Sequence, residues 1–142
     1  MAVEDDPAIA DLLDMYLRRE DHRVYLAADG ERGLELIAAH RPDVVILDVG
    51  LPGIDGLEVC RRIRERGGSE YTYVTIVSAR NKHQDIAYGF QSGADDFITK
   101  PYKPDDILAR VRVAERLRRS FTSSSGLSRA LAEAQESQSG DV

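Results

Sequence analysis

The side chains best able to do chemistry each stand just past a short run of apolar residues. Glu4 and Asp5 follow Ala2-Val3, Asp48 follows Val44–Leu47, Ser78 closes Tyr73–Val77, and Lys100 follows Asp96–Thr99. Short β-branched runs bounded by turn-formers read as buried strands. In open parallel sheets, ligands bind beyond the carboxyl ends of the strands, so all five groups are expected along one sheet edge. Carboxylates crowded there raise each other's pKa unless a cation joins them. A hard divalent ion answers that, and Mg²⁺ takes carboxylates, waters and a phosphate oxygen. Lys100 offers a point charge for a phosphoryl group, and Ser78 a hydrogen-bond donor. A carboxylate beside a metal can act as a nucleophile toward phosphorus and form an acyl phosphate. The order acid pair, Asp, Ser, Lys-Pro thus points to a Mg²⁺-dependent aspartyl-phosphate site. Each residue also has a plainer reading: Asp48 as a turn initiator, Glu4 and Asp5 as a capping run, Ser78 bonded to backbone, Lys100 solvated. A single shared site accounts for all of them at once.

The elements that must position these groups follow from periodicity and turn signals. Asp6 reads as an N-cap and Pro7 as the first residue of a helix with Ile9, Leu12, Leu13, Tyr16 and Leu17 on its apolar face. Val24–Ala28 reads as a strand, Asp29-Gly30 as a turn, and Glu31–His40 as a helix with Leu34, Ile37 and Ala38 inward, stopped by Pro42. The strand Val44–Asp48 runs into the cluster Gly50, Pro52, Gly53, Gly56. A helix over Leu57–Arg66 is ended by Gly67-Gly68. Tyr73–Ser78 reads as another buried strand, Ala79–Lys82 as a loop, and His83–Ser92 as a helix closed by Gly93. Asp96–Thr99 is a brief strand. Pro104–Arg119 is the last helix, with Ile107, Leu108, Val111, Ala114 and Leu117 inward. Alternating strands and helices argue a parallel sheet with helices on both faces, an α/β architecture. One point sits awkwardly. A central strand has about five or six residues, yet only Met1–Val3 precede the acids, so residues are expected to be missing from the natural start.

Composition bounds the rest. A chain of 142 residues suggests one domain, placed at 1–119, and a 120–142 linker or tail. In that tail Phe121–Gly126 reads as loop, Leu127–Ser137 as a weak helix and Ser139–Val142 as a disordered end. The net charge of −6 argues against direct nucleic-acid binding. The lone Cys60, among Leu57, Val59 and Ile63, reads as a core residue, and a single cysteine fits a reducing, cytoplasmic setting. No membrane span or signal peptide is visible. His22, His40 and His83 lack metal-ligand spacing and read as surface or boundary residues.

The segments VEDD (Val3–Asp6), ILDVGLPGIDG (Ile46–Gly56), VSA (Val77–Ala79) and GADDFITKPY (Gly93–Tyr102) resemble the receiver domains of two-component response regulators, the CheY-like superfamily. The resemblance covers about Ala2 to Arg119. It implies a doubly wound, flavodoxin-like sheet of five parallel strands in the order 2-1-3-4-5. It implies that Asp48 accepts a phosphoryl group from a histidine kinase or a histidine phosphotransfer protein. Glu4, Asp5, Asp48 and the backbone carbonyl of Gly50 would hold Mg²⁺; Ser78 and Lys100 would bind phosphoryl oxygens; the Lys100–Pro101 bond would be cis. Phe97 matches the switch aromatic, and Gly50 and Arg80 the two variable positions that tune phosphoryl lifetime. Gly50, where a larger residue is usual, opens space for water, whereas Arg80 can shield the group.

The implied mechanism is a population shift. The phosphoryl group favours one arrangement of Ser78, Lys100 and their loops, and a surface of the fourth helix, fifth strand and fifth helix changes. Asp95, Asp96, Arg110 and Arg112 there either pair across a homodimer or are solvated. The output, whether DNA-binding, a diguanylate cyclase or none, is open. The rival reading is a haloacid-dehalogenase-like Mg²⁺-dependent phosphatase, whose second Asp two residues after the nucleophile is replaced here by Gly50. A flavodoxin-like cofactor binder would need a phosphate-cradling loop after the first strand, where this chain has acids.

Overall fold

A computed structural model of the chain describes residues 1–66, 71–80 and 82–122. Five parallel strands form one sheet in the order β2-β1-β3-β4-β5. They are β1 (Ala2–Val3), β2 (Leu26–Ala27), β3 (Val44–Asp48), β4 (Tyr73–Ser78) and β5 (Asp96–Thr99). Between and after them run α1 (Pro7–Arg19), α2 (Gly30–His40), α3 (Gly56–Arg66), α4 (His83–Gln91) and α5 (Pro104–Thr122).

The central strands are continuous apolar runs because both faces are covered. Every residue of β4 is buried, and successive side chains enter opposite layers. Val45, Leu47, Val74 and Ile76 pack with Ile37, Val59, Cys60 and Ile63 from α2 and α3. Ile46, Val77 and Ile98 pack with Leu13 and Leu17 of α1 and Ile107, Leu108 and Val111 of α5. Short β1 pairs with both β2 and β3, Val3 opposite Ala27 and Leu47. The helix starts are specified locally. Asp6 accepts from the amides of Ala8 and Ile9, Asp29 from Arg32, and Asp55 from Glu58.

Several expectations shift. The strand expected over Val24–Ala28 is only Leu26–Ala27, because β2 is an edge whose sole partner, β1, offers two residues. α2 begins at Gly30 and α3 at Gly56, each one residue early; α4 ends at Gln91, one residue early. α5 continues to Thr122, taking Phe121 and Thr122 out of the expected loop. Leu12 and Leu117 are exposed at 40% and 39%, and Ala38 is exposed as well. Leu12 and Ala38 lie beside the stripes Leu13/Leu17 and Gly33/Ile37 that face the sheet, and Leu117 lies beyond the last buried turn of α5. Cys60 is fully buried, and burial pushes its thiol up to about 11. His40 stacks on Tyr25, and His22 meets Glu115 at 3.3 Å. The Gly67-Gly68 helix stop, Leu127–Ser137 and Ser139–Val142 lie outside the described residues.

Candidate phosphoacceptor site

The strand ends deliver their side chains to one place. Parallel register puts Asp48 opposite Val77, one residue before Ser78, and the Lys100 amide donates to the Ser78 carbonyl at 2.8 Å. β1 stops after Val3, so Glu4 turns into the same edge, buried at 5% exposure, with Asp5 exposed beside it. Asp48 is 6% exposed. One carboxylate oxygen from each of Glu4, Asp5 and Asp48 lies within 4.8 Å of the others. Lys100 Nζ donates to Asp48 Oδ2 at 3.0 Å and stands 3.7 Å from Glu4 Oε1. The Gly50 amide donates to Asp48 Oδ1 at 3.1 Å, and the Asp6 amide to Glu4 Oε2 at 3.4 Å. The Lys100–Pro101 peptide is cis.

This electrostatic arrangement is unbalanced in a way that suits a cation. Burial, then hydrogen bonding and repulsion from Asp48, push the Glu4 carboxyl up to about 7. Burial alone would lower Lys100, but its hydrogen bond to Asp48 and the charges of Asp48, Glu4 and Asp5 outweigh that and raise it. One ammonium therefore faces three carboxylates. The donor set is all oxygen, which fits a hard divalent ion and not a soft one.

The loop after β3 is built around Asp48. A Cβ on Gly56 would lie 2.4 Å from the Asp48 carbonyl oxygen, so α3 can start this close only with glycine there. A Cβ on Gly50 would meet only Asp48 Oδ1, at 3.9 Å, so the approach above the carboxylate is open. Ser78 is buried, and its Oγ accepts from the Arg80 amide at 3.0 Å; Arg80 itself is exposed. Phe97 is half-buried against the core and touches Gly89 of α4. The carboxylates, Lys100, Gly50 and Ser78 thus share one sheet edge, with Arg80 and Phe97 beside it on the elements that follow Ser78 and precede Lys100.

Two residues at the site were not anticipated. Tyr102 lines a small crevice with Glu4 and Asp48, and burial, then those two charges, push its hydroxyl up to about 12. Its position two residues after Lys100 is the signal that could have found it. Gly56 is the other, visible only as the last glycine of the turn cluster. A larger cavity, about 300 Å³, opens at the opposite end of the sheet near Met1, Val24 and Val44, away from these groups.

The sequence model described as "Response regulator receiver domain" matches residues 1–112. The chain belongs to the response regulator receiver family. It is 46% identical over 116 residues to the transcriptional regulatory protein AfsQ1 of Streptomyces coelicolor, covering 82% of this chain and 50% of that protein. It is 40% identical over 119 residues to the DNA-binding response regulator MtrA of Mycolicibacterium smegmatis, covering 84% and 50%. The chain thus spans about half the length of these curated relatives. Among solved structures, the BeF3-activated receiver domain of DrrB, from Thermotoga maritima, superposes with a TM-score of 0.73 at 34% identity, covering 81% of this chain and 94% of that one. The strand order is that of the CheY-like fold. The receiver is a phosphoryl-accepting switch of two-component systems, which implies a histidine kinase as its partner. Nothing in these similarities supports the phosphatase reading. Among the described residues no helix is long and apolar enough to cross a membrane.

Asp95, Asp96, Arg110 and Arg112, considered for pairing across a dimer, each have a partner within the chain. Arg64 reaches Asp95 at 2.8 Å, Arg110 reaches Asp96 at 3.3 Å, and Arg112 pairs with Glu20.

Proposed function

We propose that Asp48 is the phosphoacceptor, that Glu4, Asp5, Asp48 and the Gly50 carbonyl hold Mg²⁺, and that Ser78 and Lys100 bind the transferred group. The observation that carries this is Lys100 Nζ, 3.0 Å from an Asp48 carboxylate whose neighbours Glu4 and Asp5 lie within 4.8 Å. A carboxylate oxygen of Asp48 attacks phosphorus as the bond to the donor's imidazole nitrogen breaks; the imidazole leaves and is reprotonated by solvent. Lys100 neutralises charge on a phosphoryl oxygen, and Ser78 turns its hydroxyl to another. Mg²⁺ held by these residues would supply positive charge that offsets the carboxylates and the transferred group. The phosphodonor is a histidine kinase or a histidine phosphotransfer protein. Hydrolysis of the acyl phosphate returns the switch, with Gly50 admitting water and Arg80 shielding the group.

The signal leaves through α4, β5 and α5, with Phe97 coupling the site to α4. The similarity to a transcriptional and a DNA-binding regulator supports gene control as the output. With a net charge of −6, this chain is proposed to act through a DNA-binding unit and not by touching DNA itself. Incubation with acetyl phosphate tests the assignment. Mg²⁺-dependent mass addition at a stoichiometry near one is expected for the parent protein and none for Asp48→Asn. Undiminished labelling of Asp48→Asn refutes it.

A further inference from the structure

The loop that carries Gly50 is closed at its base and held at its tip by a different element. At the base, the Gly56 amide donates to the Val49 carbonyl at 3.2 Å, directly beside Asp48. Leu51 is buried in the core. Beyond Leu51 the chain turns outward through exposed Pro52 and Gly53 and comes back at half-buried Ile54. That tip lies against the first turn of α2.

The contact is close from both sides. A Cβ on Gly30 would sit 2.6 Å from Ile54 Cγ1, 2.8 Å from the Ile54 carbonyl oxygen and 2.9 Å from Val59 Cγ2. Glycine is what lets α2 begin this near the loop. Gly53 answers from the loop. Its φ is +74°, and a Cβ there would lie 2.8 Å and 2.9 Å from the two Glu31 carboxylate oxygens. Glu31 Oε1 accepts from the Ile54 amide at 3.3 Å. An acid in the first turn of a helix suits the helix dipole by itself. The dipole does not explain why this carboxylate leaves its own helix for an amide 23 residues further along the chain.

We propose that Glu31 and Gly30 form a clasp that fixes the tip of this loop, and through it the Gly50 carbonyl that would hold Mg²⁺. Glu31 is then a positioning residue for the metal site and touches neither the ion nor the transferred group. The metal half of the proposal rests on the Asp48 assignment; the clasp does not.

Hydrogen exchange on metal-free protein reads the clasp. Glu31 is exposed, so substitutions there leave the core intact. The Ile54 amide is expected to exchange about tenfold faster in Glu31→Ala than in the parent. In Glu31→Gln, whose side-chain oxygen still accepts, it keeps the parent rate. The Ile63 amide inside α3 stays unchanged in both. An Ile54 rate that Glu31→Ala does not move overturns the clasp.

Titration calorimetry with Mg²⁺ alone reads how far the clasp reaches. Glu31→Ala should bind about threefold to tenfold more weakly than the parent, and Glu31→Gln should bind as the parent does. Labelling by acetyl phosphate then slows in Glu31→Ala at limiting Mg²⁺ and regains the parent rate at saturation. If Glu31→Gln weakens as much as Glu31→Ala, the charge and not the bond matters, and the proposal is wrong. Gly53→Ala gives a second route, because its Cβ displaces the Glu31 carboxylate. Its loss of Mg²⁺ affinity should shrink in a Glu31→Ala background; equal losses in both backgrounds count against the clasp. A parent that binds Mg²⁺ and takes a phosphoryl group, matched by Glu31→Ala, sinks the metal half alone. A parent that takes no phosphoryl group sinks the Asp48 assignment and the metal half with it, leaving the Ile54 exchange rate to decide the clasp.

Discussion

Glu4 is the acid most penalised by the arrangement, since burial and the nearby Asp48 carboxylate push it up to about 7 from an ordinary 4.5. A raised carboxyl keeps its proton in the folded state after the unfolded chain has released its own. The stabilisation it contributes is full below pH about 4.5 and is lost as pH rises through about 7. In metal-free protein the Tm is therefore expected to fall between pH 5 and 7.5, and Glu4→Gln to flatten that slope. A metal ion must displace the same proton, so the apparent Mg²⁺ affinity should weaken roughly tenfold per pH unit below 7, read by titration calorimetry. An affinity flat from pH 5.5 to 7 contradicts it. Two positions after Asp48, Gly50 leaves the approach to Asp48 Oδ1 open. Gly50→Met places a side chain over that approach, and the phosphoryl half-life should lengthen severalfold when followed by intact mass. An unchanged half-life means that water arrives from elsewhere.

Among the elements, α4 gives the clearest trade between local preference and packing. Glycine inside a helix costs about 1 kcal/mol relative to alanine, yet Gly89 stands in the last turn of α4 because Phe97 fills the space where a Cβ would be. Gly89→Ala is expected to lower the Tm by several degrees with Phe97 present. In a Phe97→Ala background the same change should raise it, because the space is free and the helix gains propensity. A same-sign effect in both backgrounds rules out Phe97 as the reason for the glycine. The two halves of this trade were unequally legible. Asp48 and Lys100 could be placed from the chain alone, because each follows a short β-branched run and parallel strands end at a common edge. β3, β4 and β5 were read to the residue for the same reason. β2 was overextended, since nothing local reveals that its partner is two residues long. Leu12, Ala38 and Leu117 were read inward because apolar type, not angular position, was the signal. The Arg64 cluster was invisible: its members Thr72, Gly93 and Asp95 lie 8, 29 and 31 residues away, and the first two are joined through backbone carbonyls that carry no sequence mark.

For the whole molecule, the face of α4, β5 and α5 is the proposed exit for the signal, and its charges decide how a second copy could sit there. Arg110 already meets Asp96 within the chain at 3.3 Å, with Asp96 the more buried partner at 17% side-chain exposure. A half-exposed pair of this kind is worth little by itself, so exchanging it for the same pair across a dimer costs little and leaves register as its contribution. A dimer of the activated state that uses it predicts an asymmetric rescue. Asp96→Arg and Arg110→Asp should each remain monomeric with Mg²⁺ and beryllofluoride, because every cross-subunit contact is then like-charged. Mixed in equal amounts they should dimerise, since the Arg introduced at position 96 faces the Asp introduced at position 110 in the other chain, and native Arg110 faces native Asp96. The mixture cannot repair either chain's internal pair, so the rescue reports contacts between chains alone. Sedimentation velocity reads the outcome. Dimers in either single variant, or a mixture that stays monomeric while the parent dimerises, would assign Asp96–Arg110 to the interior of one chain and move the interface elsewhere.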